Sequence, residues 1–184
     1  MSLTLITPTQ QPAVWWSDVS DHLRGVDDKE LEPFLRAGIE LIEEATGLQL
    51  MQATYEYKVC GFTHVIELPK PPVISVDQIR YLDSEHQEQT LEASSYYLAF
   101  VGQKVPATVR ATDSWPTEVS GREESVIIRF TCGHPTSKEV PEIAKQLIKM
   151  TVSDLYIHRE AQGRDMFENK LFTQMVQLLK VHYL

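Results

Sequence analysis

The hydrophobic period of this chain changes twice, from helical to alternating and back, and that restricts the fold more than any other feature. Between Asp28 and Gly47 the apolar residues Leu31, Phe34, Leu35, Ile39, Leu41, Ile42 and Ala45 recur close to i, i+3, i+4, i+7. Glu32, Arg36, Glu40, Glu43 and Glu44 supply the wet face, and Gly47 is placed to stop the helix. Pro33 conflicts with a helix that opens at Asp27-Asp28, because it removes a backbone bond. Either the first turn bends, or the regular helix starts near Glu32 with Pro33 at its first position. Towards the other end, Pro141 suits the first turn of a second long helix. Its stripe is Ile143, Ala144, Leu147, Ile148, Thr151, Val152 and Leu155. Gly163 marks a break, and Asp165 is placed to cap a final helix.

The middle reads as strands. Residues 52–59 and 64–68 alternate, and Pro69-Lys70-Pro71-Pro72 then breaks the ladder. Val73 to Leu82 follows as a strand, and Asp83-Ser84-Glu85-His86 as a turn. Gln89-Thr90-Leu91 and Tyr96 to Phe100 are expected to form the next pair, and residues 113–124 a surface loop. Ser125 to Thr131 is the clearest strand, ended by Gly133-His134-Pro135. Residues 1–16, broken by Pro8 and Pro12, read as an extended arm with Trp15-Trp16 as an anchor, and Ser17 as the cap of a short helix. The expected fold class is α+β: a helical bundle made by the N- and C-terminal helices, with a central antiparallel β-rich insertion. The expected layout is an arm over 1–16 and one domain over 17–184, helical over 17–47, β-rich over 52–132 and helical over 141–184.

Composition narrows the function. The 184 residues are 42% hydrophobic and 23% charged, a globular balance. The start lacks the basic and apolar regions of a signal peptide, and no apolar run is long enough for a membrane helix. The net charge of −9 disfavours gripping duplex DNA through clustered cations. It suits a channel that must pass DNA freely.

No motif whose chemistry fixes residue types and spacing is present: no P-loop, no GxGxxG, no GxSxG, no HExxH. The six histidines are scattered, with no i, i+4 pair, so neither a metal nor a cofactor is expected. Cys60 and Cys132 stand in no CxxC pair and read as two reduced thiols. Cys132-Gly133-His134 sets a thiol near an imidazole base in sequence, but neighbouring side chains on an extended chain point apart. A strand end followed by a turn is the better reading. No enzyme is expected.

The final helix stands out. Phe167, Leu171, Met175 and Leu178 lie on one line, and Phe172, Val176 and Leu179 on the next. So wide an apolar arc needs either burial in its own domain or a partner.

The ordered set of segments resembles a known family. The helix ends Glu44-Ala45-Thr46-Gly47. Leu68-Pro69-Lys70-Pro71-Pro72-Val73-Ile74-Ser75-Val76 leads into Ile79-Arg80-Tyr81-Leu82-Asp83. Then come Tyr96-Tyr97, Trp115-Pro116, Val126 to Phe130 with Gly133, and Val140-Pro141-Glu142-Ile143 opening a helix with Gln146. Over roughly residues 5–160 this is similar to the head–tail connector proteins of tailed phages and prophages, also called adaptor or head-completion proteins. The ending Leu178-Leu179-Lys180 resembles the family's leucine pair but lacks the proline often found there.

The resemblance implies a structural subunit without catalysis, located in the virion neck and assembled in the bacterial host cytoplasm. It implies a homo-oligomeric ring on the portal protein, a dodecamer built from subunits that are monomeric in isolation. Packaged DNA would pass through the lumen without specific binding, and a neck, stopper or tail-completion protein would attach next. No membrane partner is implied. The C-terminal helix would reach the portal, through Phe167, Leu171, Phe172, Met175, Leu178, Leu179 and Tyr183. Another neck or tail-completion role in the same system is the nearest alternative, and a small enzyme with a site assembled in space is a more distant one.

Overall fold

A computed structural model describes residues 1–23, 28–99, 102, 104–158 and 169–181. The fold class expected from sequence is the one observed, with helical flanks around an antiparallel β-rich middle. The chain divides into two compact units. Residues 1–16, expected as a single arm, are shared between them, and so are residues 17–184, expected as one domain.

The helical unit draws on Gln11–Met51 and His134–Val181. It contains α1 (Trp16–His22), α2 (Asp28–Thr46), α3 (Glu142–Ile157) and α4 (Lys170–Leu179). Helix α2 begins at Asp28 and carries Pro33 inside it, so it is the early start rather than the Glu32 start that the chain takes. Its buried large apolar residues are Leu31, Leu35 and Ile42, whereas Leu41 faces solvent. Gly47 ends the helix with φ +77°, its N–H bonded to the Glu43 carbonyl at 2.8 Å. Glu43 is not merely on the wet face: its Oε1 accepts from the Leu50 N–H at 2.8 Å and from Gln49 Nε2 at 3.1 Å, fixing the turn that follows.

Helix α3 buries Ala144, Leu147, Ile148, Thr151 and Val152, the expected stripe without Ile143, which is exposed, and Leu155, which is half-buried. The two long helices pack together, as their matching stripes demand, with Phe34 meeting Tyr156 edge-on at 5.7 Å. The helices come close at Gly38, where an added Cβ would lie 2.7 Å from Cγ2 of the buried Val152. Valine is β-branched and stiff, so it cannot swing away cheaply. Gly38→Ala is therefore expected to lower stability by about 1–3 kcal/mol, even though alanine gains up to about 1 kcal/mol in helix propensity. An unchanged or raised urea midpoint would contradict this close crossing.

Helix α1 starts after Trp15, without a side-chain cap, so Ser17 is inside the helix rather than its cap. Trp15 and Trp16 remain about half exposed, and the buried anchors are Ala13, Val14 and Val19.

The sheet unit draws on Met1–Gln10 and Gln52–Gly133. Its strands are β1 (Ser2–Thr7), β2 (Ala53–Val59), β3 (Ile66–Leu68), β4 (Val73–Leu82), β5 (Glu88–Thr90), β6 (Tyr96–Ala99), β7 (Ala107–Ala111) and β8 (Val126–Cys132). One sheet has the order β1-β2-β8-β4-β5, the other β3-β7-β6, and all named strand pairs are antiparallel. Both contribute to one core, with Ile128, Phe130 and Ile79 from the first and Leu68, Ala107 and Val109 from the second.

Two pairings differ from expectation. The segments around Gln89 and Tyr96 do not pair with each other. Strand β5 returns onto β4 through a turn in which Asp83 Oδ1 accepts from the Glu85 and Gln87 N–H groups, each at 2.9 Å. Strand β6 pairs instead with β7, which the sequence does not announce. The start of the chain is extended as expected, yet Ser2–Thr7 is hydrogen-bonded as the edge of the larger sheet. Among the described residues no helix is long and apolar enough to cross a membrane.

Candidate functional site: the last helix

Helix α4 opens at Asn169, whose Oδ1 accepts from the N–H groups of Leu171 at 3.0 Å and Phe172 at 3.4 Å. Two capped donors out of four give a firm start to a ten-residue helix. The expected cap, Asp165, lies outside the described residues. At the far end the Val181 N–H bonds to the Thr46 carbonyl at 2.8 Å, tying the helix to the end of α2.

The two apolar lines read from sequence have different fates. Phe172 and Leu179 are each 2% exposed and Val176 is also buried, all in the core of the helical unit. Leu171 is 59% exposed and Leu178 58%, with Met175 half-buried between them at i+4. Of the seven residues singled out, then, Phe172 and Leu179 are core residues and Leu171 and Leu178 form a solvent-facing line. Phe167 and Tyr183 lie outside the described residues. A two-leucine line at i, i+7 on a helix that is packed on its other side is geometry for contact with another surface. It offers no nucleophile and no acid–base pair.

Several charged groups elsewhere among the described residues are engaged structurally. On the larger sheet, Glu56 lies opposite Arg129 and accepts from its Nη2 at 2.6 Å and from Arg80 Nη2 at 2.8 Å; Arg80 also bridges to Glu88 at 3.1 Å. The Glu56 side chain is only 12% exposed. The hydrogen bond from Arg129 holds its carboxyl below the ordinary range, helped by the charges of Arg129 and Arg80 and opposed by burial.

A group with a lowered folded-state pKa adds stability that is complete above its unfolded value and is lost as pH falls through the folded value. Glu56→Gln is expected to cost about 1–2 kcal/mol near pH 7. That difference should be smaller at about pH 3, below the ordinary glutamate value, because the stability added by a lowered carboxyl is lost as pH falls towards its folded-state value. Urea denaturation at the two pH values checks it, and a difference that is no smaller in acid would contradict the ion-pair account.

Cys132 is fully buried at the end of β8, with no open face for a nucleophile. Gly133 takes φ +93°, the turn expected there. Burial pushes the His134 imidazole below its usual range, with Glu139 opposing. Cys60 and Cys132 are not joined in a disulfide. Among the described residues no group of three or more His, Cys, Asp or Glu could hold a metal ion.

No protein-family model matches the sequence, and no curated protein matches it. Solved structures do share the fold. A chain from the neck of a native gene transfer agent (GTA) particle, computed with C12 symmetry, superposes with a TM-score of 0.81 at 21% identity, covering 100% of this chain and 97% of that one. A neck chain of the empty particle, computed with C6 symmetry, gives 0.80 at 22% identity with the same coverage. A chain of the virion of the native particle gives 0.79 at 21% identity. The fold of this chain is therefore shared, over its full length, with chains of gene transfer agent particles.

Proposed function

We propose that this chain is a non-enzymatic structural subunit of a phage or prophage head–tail connector, located in the neck of the particle. The observation that carries the reading is the full-length likeness of fold to neck chains, with no segment of this chain left over. The sixfold and twelvefold symmetries of those necks support a ring, and the proposed state is a homo-oligomer of twelve on the portal. A closed ring needs a head-to-tail interface, so each subunit would carry two different contact surfaces.

The ring would extend the channel for packaged DNA and present a surface for the next neck, stopper or tail-completion protein. The −9 charge is in keeping with a lumen that does not grip phosphate. Portal contact is assigned to the exposed line of α4, Leu171 and Leu178 with Met175 beside them. Phe167 and Tyr183 remain candidates on sequence grounds.

Co-purification tests the reading. The chain should be retained by portal assemblies from the same particle and not by tail-tube protein. Retention by tail-tube protein alone would favour a tail-completion role.

A further inference from the structure

The larger sheet has two open edges. Among the described residues β1 pairs only with β2 and β5 only with β4. Strand β1 has six residues, all exposed except the half-buried Ser2, and neither a proline nor a charged side chain. Its ladder is irregular only at the end, between Leu5 and Thr7. It therefore lacks the lysines, prolines and central bulges that usually keep an edge from pairing.

Its side chains sort by face. Leu3 lies opposite Tyr57 and Leu5 opposite Tyr55, and both tyrosines pack against the core of the sheet unit. The two leucines are thus on the core face, yet Leu3 is 36% exposed and Leu5 49%. They form an uncovered rim of that face. Thr4 lies opposite Glu56, on the polar face that also carries Arg80 and Arg129. The β5 edge repeats this division. Gln89 lies opposite Tyr81, which packs against the same core. Leu91 continues that face, and its N–H bonds to the Ile79 carbonyl at 2.9 Å. Thr90 lies opposite Arg80, on the polar face.

The occupant of β1 follows from the pairing of edges. Two β1 strands meeting would make a two-fold contact, which closes as a dimer and leaves both β5 edges open. Pairing β1 with β5 of the next copy is head to tail and uses both edges of every copy. From β1 to β5 the sheet takes antiparallel steps through β2, β8 and β4, so the two edge strands run in the same direction. Neighbours in a ring of twelve differ by a rotation of only about 30°. The edges would therefore meet as a parallel pair, core face continuing into core face.

We propose that β1 of each copy pairs in parallel with β5 of the next, so that the larger sheet continues from subunit to subunit. This interface rests on the ring reading given above, and it supplies the two different contact surfaces that a ring needs.

Disulfide trapping on the portal tests it. The exposed Cys60 is first replaced by serine, and the buried Cys132 is left in place. Thr4→Cys is then combined with Thr90→Cys in one chain, or with Glu88→Cys in another. Thr4 lies beside one or the other in any register that pairs the centres of the two strands. All three positions are exposed, so the fold should tolerate them. Within one chain the two edges are roughly 19 Å apart, at about 4.8 Å per strand step, beyond the ~7 Å that a disulfide can bridge. After oxidation at least one double variant should give a reducible ladder of chains from two upwards, and each single variant only monomer. Dimers from Thr4→Cys alone would identify the two-fold pairing and overturn the proposal. Portal that retains the chain in full number but yields no ladder would overturn this interface and leave the ring standing. Portal that does not retain the parent chain would overturn the ring and the interface with it.

Discussion

Replacing Phe172 with alanine is expected to destabilise the protein by about 3–5 kcal/mol. The side chain is almost wholly buried in the core of the helical unit, in the same cluster as Leu35, Leu147 and Val152. Alanine would leave a cavity that a close-packed interior can only partly collapse. The loss should be read from the midpoint of urea unfolding at unchanged slope. A loss below about 1 kcal/mol would mean that α4 is not docked as described. The same packing means that truncation after Glu160 is a poor probe of portal contact. It would remove Phe172, Val176, Leu179 and Val181 from the core together with the exposed leucines, so lost binding could simply reflect lost folding.

The converse result is expected on the other side of the helix. Leu171→Ser with Leu178→Ser should leave the unfolding free energy from urea titration within about 0.5 kcal/mol of the parent, because both side chains already largely face water. Portal association should nevertheless fall by at least about a hundredfold, since two buried leucines at an interface contribute roughly 1.5–3 kcal/mol each. Paired with Phe172→Ala, the double variant separates folding from docking on one ten-residue helix. Sequence alone could not make that separation. It showed an apolar arc too wide for one purpose, but which line faces the core depends on how α4 lies on its neighbours.

What could be read early was local and periodic. The α2 stripe with its Gly47 stop, the α3 stripe, and the Val73–Leu82 strand all declare themselves within a few residues. What could not be read was pairing at a distance. Strand β1 finds its partner β2 some fifty residues later, so no hairpin signal marks it. Strand β7 is short, and its inward residues Ala107 and Val109 are too small to announce a core face. The strand around Gln89 was expected to pair with Tyr96 because it precedes it, whereas the Asp83 turn folds it back onto β4. Trp115 sits in a polar stretch that reads as surface loop. The ring of Phe62, distant in sequence, stacks on it where it packs against the sheet-unit core. Helix boundaries near prolines were similarly ambiguous: the packing of Leu31 and Leu35 carries α2 through Pro33 despite the missing backbone bond.

In the proposed function this chain forms a ring on a portal, held by the exposed face of its last helix. Native mass spectrometry of portal assemblies mixed with an excess of the chain tests it most directly. The account predicts a single complex with twelve copies of the chain per twelvefold portal, absent when Leu171 and Leu178 are both serine in a chain that unfolds at the parental urea midpoint. A parent chain that leaves the portal bare, or a double variant that binds in full number, would contradict it.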